Sequence, residues 1–231
     1  MRTTPATRTF TDDPVPDEDV YDILDHARFA PNGGNRQGWH VIVVRDPEVK
    51  RQLGELWDLA QREDHAFYAA GLVPFQASEA YWRNPPGQPS VQPIDLDEVR
   101  KQPVQATMAG LRGSVVASAP VLLLVTLDLT RATAMDSGLG RLSISAGGSV
   151  YPFAHNILLA ARDLGYGGVV TSVLVRQEPA VKALLNIPED HVLACTIPLG
   201  RPEKVITRLR RNPVEEFATL DRFDGPVYSK P

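Results

Sequence analysis

The side chains best suited to hold a polar ligand sit in one short stretch, Ala30-Pro31-Asn32-Gly33-Gly34-Asn35-Arg36-Gln37-Gly38-Trp39. The amides of Asn32, Asn35 and Gln37 offer donors and acceptors together. Gly33 and Gly34 remove bulk where backbone must approach another group closely. A second feature is the basic run Arg208-Leu209-Arg210-Arg211, because clustered guanidinium groups suit a phosphate. Each feature taken alone also reads as ordinary structure: a helix-stopping turn in the first case, a solvated basic tail in the second.

Other chemistries find less support. The histidines at 26, 40, 65, 155 and 191 are scattered, and there is no His-Glu-x-x-His or Cys-x-x-Cys, so no metal is expected. There is no Gly-x-Ser-x-Gly elbow and no P-loop. Gly138-Leu139-Gly140 lies in an irregular stretch and Gly165-Tyr166-Gly167-Gly168 follows a helix, so neither makes a Rossmann unit. No acid–base dyad stands out, which suits a bound cofactor that carries the chemistry itself. Cys195 is the single cysteine; it sits in the apolar run Val192–Leu199 and reads as a small core residue in a reducing compartment. The N-terminus lacks the apolar stretch of a signal peptide, and Val115–Leu127 is too short to span a bilayer. With a formal net charge of −4 and no dominant basic face, nucleic acid is not expected. The sequence thus reads as a cytoplasmic protein with neither membrane nor nucleic-acid partners.

These residues need elements to hold them. Val20, Ile23, Leu24 and Ala27 recur at helical spacing, so a helix is predicted over 17–30, stopped by Pro31 and Gly33-Gly34. A buried strand is predicted over 39–45, a helix over 47–63, and a loop over 83–97. Then come a helix over 97–118, a strand over 121–127 and irregular chain over 130–147. A buried helix over 149–164 precedes a strand over 169–175, a short helix over 178–185 and a last strand over 191–199. From Gly200 the prolines at 202, 213 and 226 predict an extended tail. Long helices around few strands indicate an α+β fold of three layers.

Three segments, in order and spacing, resemble the nitroreductase family of FMN enzymes. They are Arg8-Thr9-Phe10-Thr11-Asp12-Asp13-Pro14-Val15-Pro16, the 30–39 stretch, and Asn156-Ile157-Leu158-Leu159-Ala160-Ala161-Arg162-Asp163-Leu164-Gly165-Tyr166-Gly167 leading into 169–175. Ile187-Pro188-Glu189-Asp190 and Gly200-Arg201-Pro202 frame the last strand in the same way. The resemblance implies one nitroreductase-like domain over 1–231, with a mostly antiparallel central sheet flanked by helices. Residues 64–113 would be a variable insertion or lid, and the tail 200–231 would wrap a dimer partner. It implies non-covalent FMN, with NAD(P)H as co-substrate and ping-pong reduction of a small electrophile such as a nitroaromatic, quinone or enone.

It also implies site roles. Asn32, Gly33, Gly34, Asn35 and Gln37 match the turn that meets the flavin and its ribityl chain. Arg8 matches a basic residue near the flavin pyrimidine. Val170, Thr171 and Ser172 match the stretch whose backbone passes the reactive edge, with Thr171 and Ser172 nearest the chemistry. Arg211, with Arg208 beside it, matches the phosphate arginine. Thr4 and Ala6 depart from the pattern, standing where the family has arginine and serine. The alternatives are a flavin-binding or sequestering dimer without turnover, or a relative that uses a deazaflavin donor or performs reductive dehalogenation.

Overall fold

The computed structural model describes residues 1–69, 95–101, 112–137, 139 and 143–230. Its centre is strand β2 (Val121–Asp128), buried along Val121–Leu127. It pairs antiparallel with β1 (Trp39–Val44) on one side and with β4 (His191–Gly200) on the other. A two-residue strand β3 (Gly167–Gly168) pairs antiparallel with β4, giving the order β1-β2-β4-β3. Side chains alternate across a sheet, and the two faces feed two cores. Leu123, Val125, Ile197 and Leu199 face one; Leu122, Leu124 and Leu193 face the other.

Helices cover both faces, giving the three layers. Helix α1 (Asp17–Ala27) and helix α5 (Tyr151–Asp163) pack on the first core through Val20, Ile23, Ala27, Phe153, Ile157 and Ala161. Asp17, Glu18 and Asp19 open α1, where the positive end of the helix dipole favours them. Beyond the C-terminal end of α5, Gly165 takes φ +84°, a left-handed conformation that glycine reaches without strain. On the second face lie α2 (Pro47–Ala69), α4 (Gly113–Ser118) and α6 (Glu178–Leu185), which contribute Leu53, Trp57, Val116 and Val181. Helix α3 (Leu96–Arg100) is capped by the Asp95 side chain, which accepts from the Asp97 and Glu98 N–H groups.

Three expectations change. The run 169–175 is not a strand. Only Thr171 pairs, forming an isolated antiparallel bridge to Thr196, and Val173–Gln177 is a 3-10 turn. Its valines pack at the sheet edge, Val170 against the first core and Val169, Val173 and Val175 against the second, while Leu174 and Gln177 turn inward at a spacing of three. The helix expected over 47–63 runs on to Ala69. The helix expected over 97–118 appears as α3 and α4 at its two ends, and 102–111 lie outside the described residues. The predicted loop falls outside them from 83 to 94, as does much of the 64–113 insertion.

Beyond Gly200 the chain is extended and mostly exposed, broken by a 3-10 turn at Val214–Glu216 and a bridge between Thr219 and Val227. Phe217 and Phe223 stand in solvent.

Candidate functional site

The sheet edge beyond β4 carries one group of the expected residues. Thr171 exchanges two backbone hydrogen bonds with Thr196: its N–H donates to the Thr196 carbonyl at 3.0 Å, and its own carbonyl accepts at 2.8 Å. In a trans peptide the next N–H points opposite to that carbonyl. The Ser172 N–H is therefore aimed away from β4, out of the sheet edge. It has no hydrogen-bond partner among the described residues, and Ser172 is exposed. The Ser172 carbonyl is held by the Val175 N–H at 3.0 Å, the first bond of the 3-10 turn.

The N-terminal segment runs along the same edge. Ala6 bridges Gly168 in parallel, and the Thr7 N–H donates to the Gly168 carbonyl at 2.9 Å. A Cβ on Gly167 would lie 2.5 Å from the Thr7 hydroxyl, so glycine lets the two chains touch. The segment then pairs with the start of the tail, through Thr11 to Arg201 and Glu203 to Thr9. Arg8 lies between these anchors, half-buried, with no ion pair among the described residues. The Thr4 hydroxyl is enclosed and Ala6 has no polar side chain, so neither offers an outward donor to a phosphate.

The 32–37 turn is a separate structure. Gly34, Asn35 and Gln37 have φ of 62°, 51° and 49°. Asparagine tolerates that region, but glutamine there costs about 1 kcal/mol or more. The Asn32 side chain stabilises the turn, accepting the Gln37 N–H at 2.8 Å and donating to the Ala30 carbonyl at 3.3 Å. It thus braces the loop, while Asn35 and Gln37 are exposed. Gly33 is required by a protein neighbour, since a Cβ there would sit 2.2 Å from the Thr133 hydroxyl.

The structure brings Arg8, Val170, Thr171 and Ser172 to one edge and leaves the 32–37 turn elsewhere. That turn leads into Trp39, whose row across the sheet is Leu127 and Val192; Gly168 belongs to the row of Leu199. Thr171, bridged to Thr196, stands four residues along β4 and three strand spacings from Trp39, roughly 20 Å at about 3.3 Å per residue and about 4.8 Å per strand, and the turn lies beyond Trp39. Arg208 and Arg211 are exposed in the tail, where 204–212 make no backbone–backbone hydrogen bond among the described residues. Arg211 donates to the Arg210 carbonyl at 2.7 Å.

Sequence reasoning missed a buried charge cluster behind the Ser172 turn. Glu63, almost enclosed, meets Arg100 at 2.9 Å and Arg176 at 3.5 Å; Arg176 also meets Asp64 at 3.2 Å and lies over the Phe67 ring. Burial raises the Asp64 pKa; Arg176 opposes that and Glu63 adds to it. Cys195 behaves as expected of a core thiol, with its pKa pushed up to about 12 by burial.

The sequence model of the Nitroreductase family matches residues 2–201. The chain belongs to that family. A protein of Archaeoglobus fulgidus named as an NADH dehydrogenase/NAD(P)H nitroreductase is 29% identical over 198 residues, covering 85% of this chain and 79% of its own length. Nitrobenzene nitroreductase of Ectopseudomonas oleovorans is 25% identical over 243 residues, covering 93% and 92%. Oxidized iodotyrosine deiodinase bound to FMN and 3-iodo-L-tyrosine superposes with a TM-score of 0.65 at 24% identity, covering 96% of each chain. That likeness speaks to the fold. Among the described residues of this nitroreductase-family chain, no group of histidine, cysteine, aspartate and glutamate could hold a metal, and no helix is long and apolar enough to cross a membrane.

Proposed function

We propose that this chain is an FMN-dependent oxidoreductase that draws on NADH or NADPH and reduces a small electrophile. The observation that carries the reading is the Ser172 N–H, aimed out of the sheet edge and unpartnered among the described residues, on the side where the N-terminal segment carries Arg8. A fixed donor and a cation without an ion-pair partner among the described residues suit the polar edge of a flavin. FMN, when bound, would supply the hydride and electron chemistry between the nicotinamide and a nitroaromatic, quinone or enone. Ser172 would orient the ring through its N–H, and Arg8 would stabilise negative charge on it. The exposed guanidinium groups of Arg208 and Arg211 would hold the phosphate. Donor and acceptor would use one opening in turn, so no separate nicotinamide fold is needed.

The 32–37 turn lies too far from Ser172 in its own chain to touch the same flavin. A homodimer resolves this if the turn of one copy completes the site of the other. The tail, which leaves Phe217 and Phe223 in solvent, is the segment suited to wrap the partner. An obligate interface of this kind would bury on the order of 2,000 Å² or more.

The test is reconstitution. The purified protein should take up FMN, turn yellow, and bleach without air on addition of NADH or NADPH. Colour should return with a quinone or nitroaromatic; a panel that includes a halogenated phenol separates dehalogenation from nitro reduction. Protein that cannot retain FMN overturns the reading. A flavin that binds but is not bleached by either nucleotide identifies a binder or a different donor.

A further inference from the structure

We propose that Glu63 is a positioning residue for the flavin edge, clamping the turn that presents the Ser172 N–H and tying it to α3. This rests on the flavin reading above. Glu63 lies near the C-terminal end of α2, a helix fixed by Leu53, Trp57 and Ala60, none of them exposed. Its side chain is only 4% exposed. A carboxylate so enclosed persists only with paired charge around it. It takes that charge from two places. Arg176 belongs to the 3-10 turn that begins at Ser172; Arg100 belongs to α3, a separate five-residue helix.

The turn has three supports. Leu174 sinks fully into the second core, the Val175 N–H holds the Ser172 carbonyl, and Arg176 is gripped from α2. The Arg176 guanidinium lies 4.6 Å from the Phe67 ring, which limits its swing. From Arg176 back to Ser172 is about 8 Å along a 3-10 turn rising about 2.0 Å per residue. A shift of the arginine therefore reaches the Ser172 peptide through one stiff turn. Arg100 occupies the other side of the same carboxylate, so α3 is coupled to the flavin edge through Glu63.

The experiment compares wild type with Glu63→Gln, which keeps the shape and removes the charge, and with Arg176→Lys, which keeps the charge and loses the planar fork. Hydrogen exchange over 171–177 is read first, without flavin. In Glu63→Gln the hydrogen-bonded amides of Thr171 and Val175 should exchange about tenfold faster while β2 and β4 hold their protection. Arg176→Lys should fall between the two. With FMN bound, Glu63→Gln should lower kcat about tenfold and shift the flavin absorbance band. KM for the nicotinamide and the affinity for FMN should stay within about twofold. Unchanged exchange in Glu63→Gln overturns the clamp, whatever the flavin does. Faster exchange with unchanged kcat and spectrum overturns its link to the flavin. If wild type binds no flavin, the functional reading fails, and exchange alone decides whether Glu63 holds the turn.

Discussion

Ser172 would act through its backbone, so side chain and amide separate by mutation. Ser172→Ala keeps the N–H, and turnover should stay within about twofold of wild type if only the hydroxyl is lost. Ser172→Pro deletes the donor. A hydrogen bond to a charged group is worth about 1.5–3 kcal/mol, so the rate should fall roughly ten- to hundredfold. The N–H has no partner to lose among the described residues, and the preceding Thr171 is extended as a pre-proline residue prefers, but φ of −109° at Ser172 lies outside the range proline allows, so the turn must shift locally. Melting of the flavin-free variant separates a lost donor from a lost fold. A loss of turnover in Ser172→Ala with FMN still bound would make the hydroxyl the donor instead. Arg8 supplies a charge rather than a direction. A nearby cation favours the reduced, anionic ring over the neutral oxidised one. Arg8→Ala should therefore lower the flavin reduction potential in a redox titration; an unchanged potential removes Arg8 from the chemistry.

At the scale of elements, α2 shows where pattern and physics part. Its apolar stripe through Leu53, Trp57 and Ala60 is readable, but Glu63-Asp64-His65 looks like an exit from the core, and the last turns were expected to be a variable insertion. Glu63 and Asp64 there meet Arg176, which is 113 residues beyond Glu63, and a pair that remote leaves no local mark. Strands β2 and β4 were legible because every residue from Val121 to Leu127 and from Leu193 to Gly200 is buried. The run after Gly168 misled for a related reason: valines buried at a sheet edge read like valines in a strand, and nothing local signals that pairing stops at Thr171. The 32–37 turn, Arg8 and Ser172 were legible as segments through their resemblance to a family, whereas their separation across the sheet was not. Asp64 gives this region a pH signature. Burial is the largest influence on it and raises its pKa above the ordinary 3.8, so the folded chain keeps a proton that the unfolded chain releases. Stability then falls as pH rises from about 3.8 through the folded pKa, and the penalty persists at neutral pH. Asp64→Asn removes it. Urea unfolding at about pH 4 and about pH 7 should show the variant gaining on wild type as pH rises. A constant difference at both values would mean that Asp64 titrates alike in both states.

For the whole molecule, the decisive quantity is the gap between the 32–37 turn and the Ser172 edge, roughly 20 Å from Trp39 to Thr171 with the turn beyond Trp39. Folding one chain more tightly cannot close it, because both ends are fixed by the sheet register. The tail points the same way: 204–212 make no backbone–backbone hydrogen bonds among the described residues, and Phe223 is fully exposed. Association through a twofold axis uses each patch twice, so two copies give two equivalent sites, each with the edge of one chain and the turn of the other. This arrangement makes defects complementable. Take one chain carrying Arg8→Ala and Arg211→Ala, and another carrying Gly34→Val, which cannot adopt the positive φ of 62°. Each homodimer has two damaged sites and should bind FMN poorly. In a mixed dimer both defects of the first chain and the defect of the second fall in different combinations: one site collects all of them and the other is intact. Random mixing of the two chains should therefore restore about a quarter of the wild-type FMN stoichiometry, because half of the dimers are mixed and each has one good site of two. Separately tagged chains, co-expressed and purified through both tags, should hold one FMN per dimer. If mixed dimers bind no more flavin than the parents, the edge and the turn of a single chain serve one site.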